Sequence, residues 1–118
     1  MWDIFKKRQE GDLRRAATAY RFYLKSIHQT ENNDIAGDEK ETRNWKGGFS
    51  KAFNQLFRDW PTPNQSKRFE KLMYRWVKKG ADAERAFVLA FNEFLGQKKL
   101  TDPEIGEVLN QGRKDFRE

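Results

Sequence analysis

Apolar residues recur at helical spacing along nearly the whole chain, and no run shows the strict alternation of a half-buried strand. Leu13, Ala16, Ala17, Tyr20, Leu24 and Ile27 form one stripe, which predicts a first helix over residues 12–28 with Asp12 as its N-cap. Trp2 and Phe5 lie upstream and fit a preceding turn of helix, with Gly11 as a weak point. The pattern then lapses. Residues 29–44, QTENNDIAGDEKETRN, are polar, acidic and without periodicity, which predicts a long mobile loop.

Periodicity returns over residues 44–60. Trp45, Phe49, Ala52, Phe53, Leu56, Phe57 and Trp60 make an aromatic stripe, and Pro61 and Pro63 end it. Gly47 and Gly48 weaken the first turn of this second helix. A third helix is expected over residues 64–80, with Phe69, Leu72, Met73, Trp76 and Val77 facing inward and Gly80 as its stop. Asp82 caps a fourth helix over residues 83–95, whose sequence AERAFVLAFNEFL is apolar around much of its circumference and so belongs at the centre. Thr101 and Glu104 form a capping box for a fifth helix, with Leu100 and Ile105 spaced for the hydrophobic staple. Ile105, Val108 and Leu109 continue its apolar face, and the charged end RKDFRE is expected to fray. The fold class is therefore all-α, a compact bundle of about five helices with one long polar loop, forming a single domain over residues 1–118.

Composition thins this picture. Only 36% of the residues are apolar and 36% are charged, but 14% are aromatic, so a few large rings must supply the core. A small core with much exposed surface suits a protein that works in contact with neighbours. The absence of cysteine excludes a disulfide scaffold and thiolate metal sites and fits a reducing cytoplasm. No apolar run reaches the 18 or so residues of a membrane span, and the N-terminal MWDIFKKRQE lacks the pattern of a secretory signal. No membrane partner is expected.

The net charge of +6 is unevenly spread. Residues 1–28 carry seven basic and three acidic side chains, and residues 45–80 carry nine and two. Residues 29–44 carry two and five, and residues 101–118 carry three and five. Two basic blocks thus stand against an acidic segment and an acidic C-terminal end. In the third helix Lys67, Lys71, Arg75 and Lys78 fall at i, i+4, i+8 and i+11, widened by Arg68 and Lys79, with Glu70 the one acid among them. Like charges at i, i+4 work against an isolated helix by a few tenths of a kcal/mol, so the stripe points to a use for the charge. The first helix repeats the pattern with Arg14, Arg21 and Lys25 around Thr18, and Lys6, Lys7 and Arg8 extend it. Tyr23 and Phe22 sit at the edge of its apolar face, placed to pack on a neighbour or to stack on bases.

Motifs for chemistry are absent: no nucleophile elbow, HExxH or CxxC occurs, and Gly47-Gly48 lacks the flanking residues of a phosphate loop. Asp34, Asp38, Glu39 and Glu41 lack the spacing of a calcium loop and read as a solvated acidic segment. His28 reads as a partner for a helix C-terminus. No enzyme, cofactor or metal is expected. Two basic helical faces suit a phosphate backbone, with up to about six contacts and no base-reading arrangement, since the fourth helix is too apolar to enter a groove.

On the basic helices LRRAATAYRFYLKSI and KRFEKLMYRWVKK and the apolar helix ERAFVLAFNEFLG, the chain resembles the small subunits of CRISPR effector complexes, all-helical proteins that stack along guide and target strands. That resemblance implies RNA or DNA backbone binding by Arg14, Arg21, Lys25, Lys67, Lys71, Arg75 and Lys78, with Arg68 beside them, without catalysis. It also implies association with other protein subunits and with copies of itself. The competing expectation is a small phage- or plasmid-type regulator or inhibitor that sets its basic face on an acidic protein target. A peripheral membrane role is disfavoured, because the aromatic faces of these helices are needed for the core.

Overall fold

The computed structural model describes the backbone of residues 2–31 and 37–117, and the side chains of residues 11–28 and 45–117. The described residues form five helices: α1 (Trp2–Glu31), α2 (Gly37–Phe57), α3 (Pro63–Lys78), α4 (Ala83–Phe94) and α5 (Asp102–Arg117). No strand occurs among the described residues. α1 lies against α2, α5 and α4, while α3 lies against α4 and α2.

α4 is the centre, as its all-round apolar sequence predicts. Every residue from Ala86 to Asn92 is buried, and so is Phe94. The core around it is a continuous set of rings. Phe49 of α2 stacks on Phe69 of α3 with centroids 4.3 Å apart, and meets Phe94 edge-on at 5.0 Å. Tyr23 of α1 reaches Phe87 of α4 at 4.8 Å. Aromatic burial therefore replaces the aliphatic volume the sequence lacks.

The starts of α3, α4 and α5 follow local rules. Asp82 accepts the amide of Arg85 at 2.9 Å as the N-cap of α4. Thr101 and Glu104 form the expected box before α5, with Leu100 and Ile105 both buried beneath it. A second box, which the proline-centred reading passes over, opens α3: Gln65 N–H donates to Thr62 Oγ1 at 3.2 Å and Thr62 N–H donates to Gln65 Oε1 at 2.8 Å. Pro63 then occupies the first helical turn, where its missing N–H costs nothing.

Four expectations change. α1 runs unbroken through Gly11 to Glu31, longer than the expected 12–28. Helical backbone enters the acidic segment 29–44 from both sides, because Glu- and Lys-containing stretches such as DEKE are good helix formers; residues 32–36 lie outside the described residues. α5 continues helical to Arg117, through the end expected to fray. The fourth change is at α2, which stops at Phe57 rather than Trp60. Arg58 adopts φ 56°, and its N–H donates to the Asn54 carbonyl at 2.8 Å, an αL termination in which Arg stands where glycine is usual. The aromatic stripe is cut accordingly: Trp45, Phe49, Ala52 and Phe53 are buried, Leu56 is half-buried, and Phe57 and Trp60 are exposed.

Gly48 has a role beyond weakening a turn. A Cβ there would meet the Tyr23 Cα at 2.8 Å, so its absence lets α1 and α2 approach closely.

Candidate nucleic-acid interface

α3 presents three ridges, set by about 100° per residue. The core ridge carries Phe69, Leu72 and Met73, all buried, with Trp76 half-buried and Val77 at the exposed margin. Opposite it, Lys67, Lys71, Tyr74 and Lys78 fall at i, i+4, i+7 and i+11, within about 60° of one another on the helix surface. All four are exposed, and none of the three lysines has an ion-pair partner among the described residues. Tyr74, absent from the candidates read in the sequence, is 51% exposed and holds its ring edge-on to Trp45, with centroids 5.1 Å apart. Its i+7 spacing from Lys67 is the signal that places it on the basic line.

The flanking ridge faces α4 and is tied down. The Arg68 guanidinium lies 4.9 Å from the centre of the Phe94 ring. Arg75 donates to Glu93 at 3.2 Å. Lys79 and Lys99 both lie over Trp76, at 4.8 Å and 5.1 Å from its ring centre. Lys99 owes that position to Asn92, which is buried and donates to the Lys98 carbonyl at 2.6 Å, fixing the chain before buried Leu100. On the far side of α3, Glu70 pairs with Lys46 of α2 at 3.8 Å.

The candidates on α1 meet a different environment. Arg14 lines an open groove of about 770 Å3 between α1 and α5, together with Glu107 and Asp115. The Arg21 guanidinium and the Lys25 ammonium both lie over Phe22, at 5.1 Å and 5.2 Å, and Arg21 is half-buried. Arg15 pairs with Asp12 at 3.5 Å. Tyr23, weighed in the sequence as a stacking residue, is buried against Tyr20 and Phe87. The α1 and α3 stripes are thus carried on helices whose main contacts are with others, not with each other. Lys6, Lys7 and Arg8 lie outside the described side chains.

Near the α1–α4–α5 junction, Arg113 donates to Glu84 at 2.9 Å. Burial, and then the Glu84 carboxylate, push the neighbouring Tyr20 phenol up from about 10 to about 12. His28 lies in the last turn of α1, edge-on to Phe116 at 6.3 Å. Among the described residues no group of three His, Asp or Glu side chains is arranged to hold a metal ion, and no helix is long and apolar enough to cross a membrane. The cluster Asp34, Asp38, Glu39 and Glu41 lies outside the described side chains.

No protein-family model matches the sequence, and no curated protein or solved structure matches it.

Proposed function

We propose that the chain is a non-catalytic nucleic-acid-binding subunit that contacts the phosphate backbone through the outward ridge of α3. The observation that supports this most is the exposed line Lys67, Lys71 and Lys78, none of which has an ion-pair partner among the described residues, whereas Arg75 of α3 and Lys46 of α2 each have a carboxylate. Lys67 and Lys71 lie about 6 Å apart along the helix axis and Lys78 about 10 Å further on, an extended row of positive charge that suits the polyanionic backbone of a nucleic acid. Arg68 and Arg75 widen the ridge, and Tyr74 supplies an aromatic face within it. The subunit serves a larger nucleoprotein assembly, of the kind the CRISPR small subunits belong to, in which its thin core is buttressed by neighbours.

Binding of the purified protein to single-stranded RNA, single-stranded DNA and duplex DNA across a salt series tests this reading. Wild type binds with a steep salt dependence, and the folded triple variant Lys67→Glu, Lys71→Glu, Lys78→Glu does not bind. Absence of binding by wild type at low salt sinks the reading. An acidic protein target would then be the occupant of the basic face, and polynucleotide would fail to compete for it.

A further inference from the structure

The corner between α2 and α3 leaves two large rings in solvent. Trp60 is 60% exposed and Phe57 is 52% exposed, in a domain short of apolar residues for its own core. Their exposure is built in. The αL residue Arg58 turns the chain off α2 before Trp60. The Trp60 amide donates to Asp59 Oδ1 at 2.8 Å, and the Thr62–Gln65 box locks the following turn. A non-glycine residue at positive φ is costly and persists where the surroundings enforce it.

Phe57 and Trp60 line an open groove of about 470 Å3 with Phe53, Gln65, Arg68 and Phe94. The charge around it is basic. Arg58 and Lys67, next in sequence to the lining residues Phe57 and Arg68, are exposed, Arg68 lies within the groove over Phe94, and the lining carboxylate, Asp59, accepts from the Trp60 amide. Arg68 also belongs to α3, one residue from Lys67, so the groove opens directly beside the first lysine of the outward ridge.

We propose that this corner is a stacking site for an unpaired base of a single-stranded nucleic acid. The inference rests on the phosphate-binding reading of α3 and adds to it the strandedness of the ligand. A strand whose phosphates follow Lys78, Lys71 and Lys67 arrives at Trp60 and Phe57, where a base turned out of the stack meets an aromatic face. Stacking is indifferent to sequence, in keeping with the lack of a base-reading helix. A duplex keeps its bases paired inside and offers the rings nothing, so only its phosphates engage the protein.

The test compares an oligothymidylate with a hairpin duplex of matched charge, by fluorescence anisotropy, for wild type and for Trp60→Ala, Phe57→Ala and Trp60→Phe. Trp60→Ala weakens binding of the single strand by about 10-fold and of the duplex by less than about 2-fold. Trp60→Phe, which keeps a ring, recovers most of the loss. The single strand also quenches the emission of wild type more than that of Trp60→Phe, since Trp60 is one of four tryptophans. Equal losses on both ligands, or no loss on either, overturn the stacking site while leaving α3 as a phosphate contact, and the corner is then a surface for a protein. Failure of wild type to bind either ligand overturns both readings. Thermal unfolding of each variant checks the fold, which these exposed positions leave intact.

Discussion

α1 and α3 carry nearly the same cationic pattern, yet their neighbours place it in different settings. On α1, Arg14 shares a groove with Glu107 and Asp115, Arg15 is paired with Asp12, and Arg21 and Lys25 lie over Phe22. On α3, Lys67, Lys71 and Lys78 are exposed and have no ion-pair partner among the described residues, while Glu93 and Glu70 pair with Arg75 and Lys46. The difference comes from packing order. α1 lies against α5, whose Glu107 and Asp115 line a groove with Arg14, whereas the acids next to the α3 ridge, Glu93 of α4 and its own Glu70, are paired with Arg75 and Lys46. A stripe of basic residues is thus a statement about one helix; the availability of its charge is a property of the helices beside it.

The largest expected effect is a direct contrast of the two stripes. Reversal of Lys67, Lys71 and Lys78 to Glu lowers single-strand affinity by about 100-fold or more and reduces the slope of log K against log salt by about 2, at roughly 0.7 per phosphate contact. Reversal of Arg14 and Lys25 to Glu changes affinity by less than about 3-fold. Equal losses from the two sets, measured in one titration series, would erase the distinction between the helices.

The seat that brings α1 against α5 can be broken next. Gly112 is buried, and a Cβ there would collide with the Tyr20 ring and meet the Ala17 carbonyl oxygen at 3.3 Å. Tyr20 is fully buried and has little room to move. Gly112→Ala therefore destabilises the fold by about 2–3 kcal/mol, read from urea unfolding. Gly106, on the same helix with open space around it, is the control: Gly106→Ala is neutral or stabilises by up to about 1 kcal/mol.

Tyr20 also makes this junction sensitive to alkali. Its phenol ionises near 10 in the unfolded chain and near 12 in the fold, because burial and then Glu84 oppose the charged form. The raised folded value means that the contribution is fully present below pH 10 and is lost as pH rises to 12. The loss is about 1.4 kcal/mol per pH unit, or about 2–3 kcal/mol over the window. Tyr20→Phe removes this component. The stability difference between wild type and Tyr20→Phe, followed by urea unfolding from pH 9 to 12, falls steadily if Tyr20 is its source and stays flat if it is not.

Much of the fold was legible because it is written locally. Periodicity located all five helices, Asp82 and Thr101–Glu104 marked two starts, and the apolar circumference of AERAFVLAFNEFL placed α4 at the centre. The Thr62–Gln65 box has the same signature and was hidden by the prolines around it, which read as breakers although one of them sits at a helix start. Periodicity could not show the end of α2, since the stripe continues to Trp60 in sequence while a single positive φ at Arg58 turns the chain away. The basic stripes were legible as patterns but not as sites. The partner of Arg75 is 18 residues further on, and the acids that line a groove with Arg14 are some 90 to 100 residues away, so tertiary packing alone shows which acids each stripe meets.

The smallest effect is the most pointed test of that sorting. If α5 is what masks α1, then neutralising its acids exposes the α1 charge without touching a basic residue. The double variant Glu107→Gln, Asp115→Asn keeps side-chain shape, and it retains a hydrogen-bonding oxygen for Gln111, which donates to Asp115 Oδ1 at 2.9 Å. Nucleic-acid affinity at low salt should then rise by about 2-fold, in line with the few tenths of a kcal/mol that an exposed ion pair contributes. The gain should shrink at 0.15 M salt, where the screening length is about 8 Å. Adding Arg14→Glu should cancel it. A gain that survives Arg14→Glu would mean that the acids of α5 act through the overall charge of the protein and not by masking this helix.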